Sequence, residues 1–164
     1  MKLKLYLLPV LIFMMCIAMT CEEDSEVYLI DVEPVNLDNS GENMIKSEDL
    51  INRNAFVIGV NYFVGYTADE EKPFPYNKQE SYNSYIIQNF SDTPKILCNT
   101  TFDEDHPEGS DVTGFFKTSD RGDTYDMLLI LKNPPAAGTY SFKVIYHCSN
   151  NVVIEKDTEP VTLF

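Results

Sequence analysis

Thr139-Tyr140-Ser141-Phe142-Lys143-Val144-Ile145-Tyr146-His147-Cys148 places Tyr140, Phe142, Val144 and Tyr146 on one side of an extended chain and Ser141, Lys143 and Ile145 on the other. A period of two is the mark of a strand with one buried face. Upstream, residues 125–132 form an apolar strand that ends in the tight connection Asn133-Pro134-Pro135-Ala136-Ala137-Gly138. Downstream, Ser149-Asn150-Asn151 predicts a hairpin turn, because Asn tolerates positive φ. Residues 152–156 and 161–164 then close the chain as strands.

The same grammar extends towards the N-terminus. Residues 55–66 give the clearest strand, with Phe56, Ile58, Val60, Tyr62 and Val64 on one face and Val57, Gly59, Asn61 and Phe63 on a more exposed one. Residues 26–35 alternate Tyr28, Ile30 and Val32 with Leu29, Asp31 and Glu33, and Pro34 should end that strand or confine it to an edge. Residues 36–52 are mostly loop, with a helical turn open to Ser47-Glu48-Asp49-Leu50. Residues 67–81 are a charged, proline-rich connection. Residues 84–90 and 95–102, joined by Ser91-Asp92-Thr93-Pro94, suggest a hairpin, and 112–116 a short strand or a helical turn. Short strands, turn signals between them and no long helical period predict an all-β chain, an antiparallel immunoglobulin-like β-sandwich of about seven to nine strands.

The chain begins differently. Lys2 and Lys4 precede an apolar run over residues 5–19 that stops at Thr20-Cys21-Glu22-Glu23-Asp24. The run is too short and too abruptly ended for a comfortable membrane span, and it has the basic front and apolar middle of a secretory signal. With cysteine at its exit it resembles a bacterial lipoprotein signal, which implies that the thiol is acylated and becomes the first mature residue. Cys21 follows Ala18-Met19-Thr20 and suits a peptidase that fits small side chains better than Cys16, which follows Phe13-Met14-Met15. Met19 and Thr20 depart from the usual lipobox. Loose boxes of this kind followed by acidic residues resemble those of Bacteroidetes lipoproteins, in which a cluster such as Glu22, Glu23 and Asp24 resembles the tag for the outer face of the outer membrane. A solvated linker on a periplasm-facing lipoprotein is the plainer alternative. The division expected is therefore a signal at 1–20, an acylated cysteine and acidic tether at 21–25, and one domain at 26–164.

The strand, Pro-Pro-Ala-Ala-Gly, Thr-Tyr-Ser-Phe-Lys-Val, turn and strand succession, with Asn54-Ala55-Phe56-Val57-Ile58 and the acidic tag, is similar to an uncharacterised family of small Bacteroidales lipoproteins. The resemblance spans most of the mature chain. It implies a location and a sandwich fold and carries over no catalytic residues.

Formal net charge is −14, so polyanions and anionic lipid surfaces should repel the chain, and nucleic acid is not an expected partner. Cleavage at Cys21 leaves Cys98 and Cys148, and in an exported chain these predict one disulfide. Closing a loop of about fifty residues would contribute roughly 4 kcal/mol through unfolded-state entropy; two buried thiols acting as small hydrophobes are the alternative.

No Ser elbow, Walker loop, HExxH or CxxC motif is present. The two histidines, His106 in the acidic loop and His147 in a strand, offer no catalytic constellation, although His106 could join Asp103 and Asp105 at a weak metal site. Calcium could draw on Asp103, Glu104 and Asp105, or on Asp120, Asp123 and Asp126, but neither set has EF-hand spacing. Arg121-Gly122-Asp123 matches an integrin-read tripeptide and equally an ordinary polar turn. No metal and no cofactor are expected. Aromatic residues are the remaining handle, because tyrosines stack on sugar rings. Tyr66, Phe74 and Tyr76 flank or lie within the proline-rich loop and form the candidate ligand platform, against the plainer reading of core tyrosines. The function expected is a non-catalytic surface lipoprotein, anchored by its lipid in the outer membrane and binding a glycan or an envelope protein. The alternatives are a structural subunit that pairs through an edge strand and, less favoured, a hydrolase.

Overall fold

The computed structural model describes residues 25–47, 49–76, 85–89, 93–119, 124–149 and 151–164. Among these, the chain is all β apart from two 3-10 turns, Arg53–Ala55 and Thr113–Phe115, and no helix is long and apolar enough to cross a membrane. The strands are β1 (Ser25–Asp38), β2 (Ile45–Lys46), β3 (Leu50–Ile51), β4 (Phe56–Gly65), β5 (Phe74–Pro75), β6 (Tyr85–Ile87), β7 (Lys95–Cys98), β8 (Phe116–Ser119), β9 (Met127–Leu131), β10 (Gly138–Tyr140), β11 (Phe142–His147), β12 (Val153–Asp157) and β13 (Val161–Leu163). They outnumber the seven to nine expected because several are only two or three residues long.

One large sheet runs β2-β1-β4-β9-β8, with β5 on β4 and β6 on β1; two small sheets run β10-β13-β3 and β12-β11-β7. Pairing is antiparallel except for β1 with β6 and β13 with β3. Phe56, Ile58, Val60, Tyr62 and Val64 of β4 face one core cluster with Ile96, Phe142, Val144, Tyr146, Val161 and Leu163 of the small sheets. The arrangement is a β-sandwich, as expected.

The decapeptide 139–148 is not one strand. Its alternation is real, but the chain changes sheet at Ser141: β10 pairs with β13, and β11 pairs with β7 and β12. Both halves keep their apolar side chains on the shared core, so the period survives the switch. The turn after β11 holds Asn151 at φ 63°, the left-handed conformation that Asn tolerates.

Three other local expectations change. In β1, Val27 and Leu29 are buried and Tyr28 and Ile30 are not, whereas after a register shift between Leu29 and Asp31 it is Val32 that is buried. One extra residue in the strand inverts which parity faces inward, so strict alternation over 26–35 assigned the wrong face to its first half. Among the described residues, those of 84–90 do not pair with 95–102; β6 lies parallel to β1 and β7 joins β11. Finally, Val57 on the supposedly exposed face of β4 is buried in a second cluster with Val35, Leu37 and Leu128, against which Tyr125 packs. Gly59 lies under that cover: a Cβ there would stand 2.7 Å from Leu37 and 2.8 Å from Tyr125, both side-chain atoms.

Pro34 sits inside the 14-residue β1 rather than at its end, and on an edge as its chemistry requires. The Asn36 carbonyl turns away from β4 to accept the Ser47 N–H at 3.1 Å, and in a regular stretch Pro34 faces the same way. The missing donor of Pro34 therefore falls outside the β1–β4 ladder.

Candidate functional site

The candidate platform grows from the end of β4. Two-residue β5 folds back so that Phe74 lies opposite Val64 and Pro75 opposite Phe63, and the Tyr76 N–H donates to the Tyr62 carbonyl at 2.9 Å. Alternation then puts Phe74 and Tyr76 on the core side of the large sheet. Tyr66, 58% exposed, packs its ring 5.2 Å from that of Phe74. Tyr76 instead lies 6.3 Å from Tyr62, which meets Tyr146 edge-on at 5.7 Å.

The three predicted residues thus divide. Exposed Tyr66 rests on half-buried Phe74, which like Tyr76 packs against the core, and Tyr76 begins a row that descends into it. Burial, with the nearby Asp126 carboxylate second, pushes the Tyr76 hydroxyl up. Burial does the same more strongly to Tyr146, whose hydroxyl lies 3.2 Å from that of Tyr62 and donates to Met127 Sδ at 3.5 Å. Tyr62 and Tyr146 are core residues with satisfied hydroxyls. The surface pair has the geometry of a stacking face: one exposed phenol ring, supported by a second ring behind it.

Asp126 lies beneath the row. It is buried, accepts the Tyr62 N–H at 2.8 Å and donates its own N–H to the Val60 carbonyl at 3.0 Å. Its partners in the proposed calcium set, Asp120 and Asp123, lie outside the described residues, as do Arg121-Gly122-Asp123. Cys21, Glu22, Glu23 and Asp24 lie outside them too. Among the described residues, no group of three or more His, Cys, Asp or Glu is placed to hold a metal ion.

The disulfide between Cys98 and Cys148 is not formed; both are buried free thiols. Register gives the reason. Cys98 is paired with Phe142 across β7 and β11, and Cys148 lies six residues further along the line of β11. That is about 20 Å of strand, against a Cα separation of about 4.4–6.8 Å that a disulfide requires. Both face the same core cluster, and burial pushes the Cys148 thiol up, towards the unreactive form. Pairing by elimination treated two cysteines as neighbours that the sheet holds far apart.

In the acidic loop, Asp103 Oδ1 accepts the main-chain N–H groups of Asp105 at 3.0 Å and His106 at 2.8 Å, and lies 2.6 Å from His106 Nδ1. The His106 ring meets Phe115 and Phe102 edge-on. The arrangement staples a turn and is not a ligand set. The His106 hydrogen bond holds the Asp103 carboxyl below the usual range, so this contribution to folding is present above the ordinary carboxylate pKa and is lost as pH falls through the lower folded value. Acidification is accordingly expected to lower the protection factors of the Asp105 and His106 amides, each taken relative to its intrinsic exchange rate at that pH, before those of the core strands, and Asp103→Asn should remove that step. Hydrogen exchange followed by NMR measures both.

Fold and site together define a class: a β-sandwich that carries an aromatic pair, Tyr66 on Phe74, beside the end of β4. The chain belongs to the DUF5034 family, described as a domain of unknown function, whose model matches residues 29–129. The match runs from within β1 to within β9, so the Thr139-to-Val144 segment lies beyond it. No curated protein matches the chain. Among solved structures it is similar to the crystal structure of BcpA, the major pilin subunit of Bacillus cereus, at 12% identity and a TM-score of 0.29, over 81% of this chain and 40% of that one. A likeness at that score carries no argument about fold or function.

Proposed function

We propose that this chain is a non-catalytic envelope lipoprotein of Bacteroidetes type, acylated at Cys21, carried to the outer face of the outer membrane by Glu22, Glu23 and Asp24, and used to bind a glycan. The observation that carries the binding part is the Tyr66–Phe74 pair, an exposed ring backed by a second ring at 5.2 Å. A sugar's C–H face can pack on such a ring without rearrangement of the fold, and that is the preorganisation a binding face needs. The location rests on the basic, apolar and cysteine-terminated start of the chain and on its acidic followers.

A glycan array probed with the intact chain is expected to return a defined set of ligands. Tyr66→Ala combined with Phe74→Ala should weaken retention of them by roughly tenfold or more, with the melting temperature nearly unchanged for Tyr66→Ala alone because that ring is exposed. Equal retention by the double variant would reject the aromatic face as the contact.

A further inference from the structure

Away from the aromatic pair, a cavity of about 420 Å³ opens along the free edge of β1, between it and β12. Among the described residues, no strand pairs with β1 on this side between the stretch covered by β6, ending at Val27, and the stretch covered by β2, beginning at Leu37. The polar groups of the wall are unevenly divided. With the Asn36 carbonyl turned outward, regular alternation turns the Val32 and Pro34 carbonyls outward as well. Their donors do not balance them: Pro34 has no N–H, and the Val32 N–H is taken by Asp31 Oδ1 at 2.9 Å. The carboxylates of Asp31, Glu33, Asp157 and Glu159 outnumber the ammonium groups of Lys46 and Lys156, and Lys156 already reaches Asp31 at 2.9 Å.

Asn36 also lines the cavity wall and is only 4% exposed; its Nδ2 donates to the Glu159 carbonyl at 2.7 Å, which ties β1 to the segment after β12, while its Oδ1 is sealed from solvent and does not open on the groove. An ordinary peptide strand would bring equal numbers of donors and acceptors to this edge and find few donors waiting for it. A ligand rich in donors fits, and the partly buried Phe63 supplies an apolar wall.

We propose that this groove binds one or two saccharide rings that carry hydroxyl and amino donors and no acidic substituent. It is a second site, separate from Tyr66 and Phe74, and it deepens the glycan-binding reading on which it rests. The volume suits a disaccharide, the carboxylates and carbonyls accept from hydroxyl and ammonium groups, and the excess negative charge repels uronic acids.

The test is a calorimetric titration of the full chain with three disaccharides: the glucosamine dimer, cellobiose and digalacturonate. The expected order is amine tightest, neutral weaker and acid absent. Asp31→Asn with Glu33→Gln, both solvent-accessible, should weaken the amine dimer about tenfold. Melting curves show whether this variant remains folded; if it does not, the order of the three titrations of the natural chain decides. Binding of digalacturonate, no binding of any of the three, or amine binding unchanged in the Asp31 and Glu33 variant would each overturn the proposal. Loss of the amine dimer in Tyr66→Ala combined with Phe74→Ala, with binding kept in the Asp31 and Glu33 variant, would put that sugar on the aromatic face and overturn the groove, so the two sites are told apart.

Discussion

Phe142→Ala is expected to lower the unfolding free energy by about 3–5 kcal/mol, the range for truncating a buried aromatic residue. Phe142 is fully buried at the start of β11, where the chain has just changed sheet. Its ring stacks on Phe56 at 5.6 Å and meets Phe116 edge-on at 5.4 Å, with Phe102 at 6.5 Å. One side chain thus joins β4 and β8 of the large sheet to β11 of a small one, and alanine would leave a cavity where the layers meet. Urea unfolding followed by tyrosine fluorescence measures the loss. Phe142→Leu, which restores most of the volume, should recover a substantial part of it.

Asn89→Ala should cost about 2–6 kcal/mol, because it leaves two buried main-chain groups without partners at roughly 1–3 kcal/mol each. The Asn89 side chain takes the place of a strand residue. Its Oδ1 accepts the Leu29 N–H at 2.7 Å and its Nδ2 donates to the Leu29 carbonyl at 3.2 Å, beyond the point where β6 stops pairing with β1. Its carbonyl accepts the Ser149 N–H at 2.7 Å, tying the β11–β12 turn to the same point. Asn89→Asp keeps the acceptor but buries a charge and turns its second oxygen towards the Leu29 carbonyl, so at neutral pH it should cost at least as much as alanine. Hydrogen exchange should show Leu29 losing protection ahead of the rest of β1.

These two residues also mark what the sequence could and could not disclose. Phe142 stood in a ten-residue alternation and was legible as core from its period. Asn89 carried no such signal: a lone Asn beside a turn is ordinary, and only the register shows that its amide completes a neighbouring strand. Asn36 and Asp126 were hidden for the same reason, since the burial of a polar residue depends on partners distant in the chain. The inner face of β4 was readable because five apolar residues repeat without interruption. β1 was misread because one bulged residue inverts the period, and no local residue type announces it. The cysteine pairing failed on a related point, since counting thiols says nothing of their separation along a strand. Of the platform, Tyr66 and Phe74 were findable as aromatic residues at a proline-rich loop, whereas the inward turn of Tyr76 depends on the two-residue pairing of β5.

The aromatic face can serve a displayed module only if it meets the exterior. The most direct test is protease treatment of intact cells expressing the full chain, with immunoblotting for this protein and for a periplasmic control. Display on the outer face predicts that the chain is degraded while the control survives, and that replacing Glu22, Glu23 and Asp24 with alanine protects it. A natural chain that is as resistant as the control on intact cells, and degraded only after lysis, would contradict it.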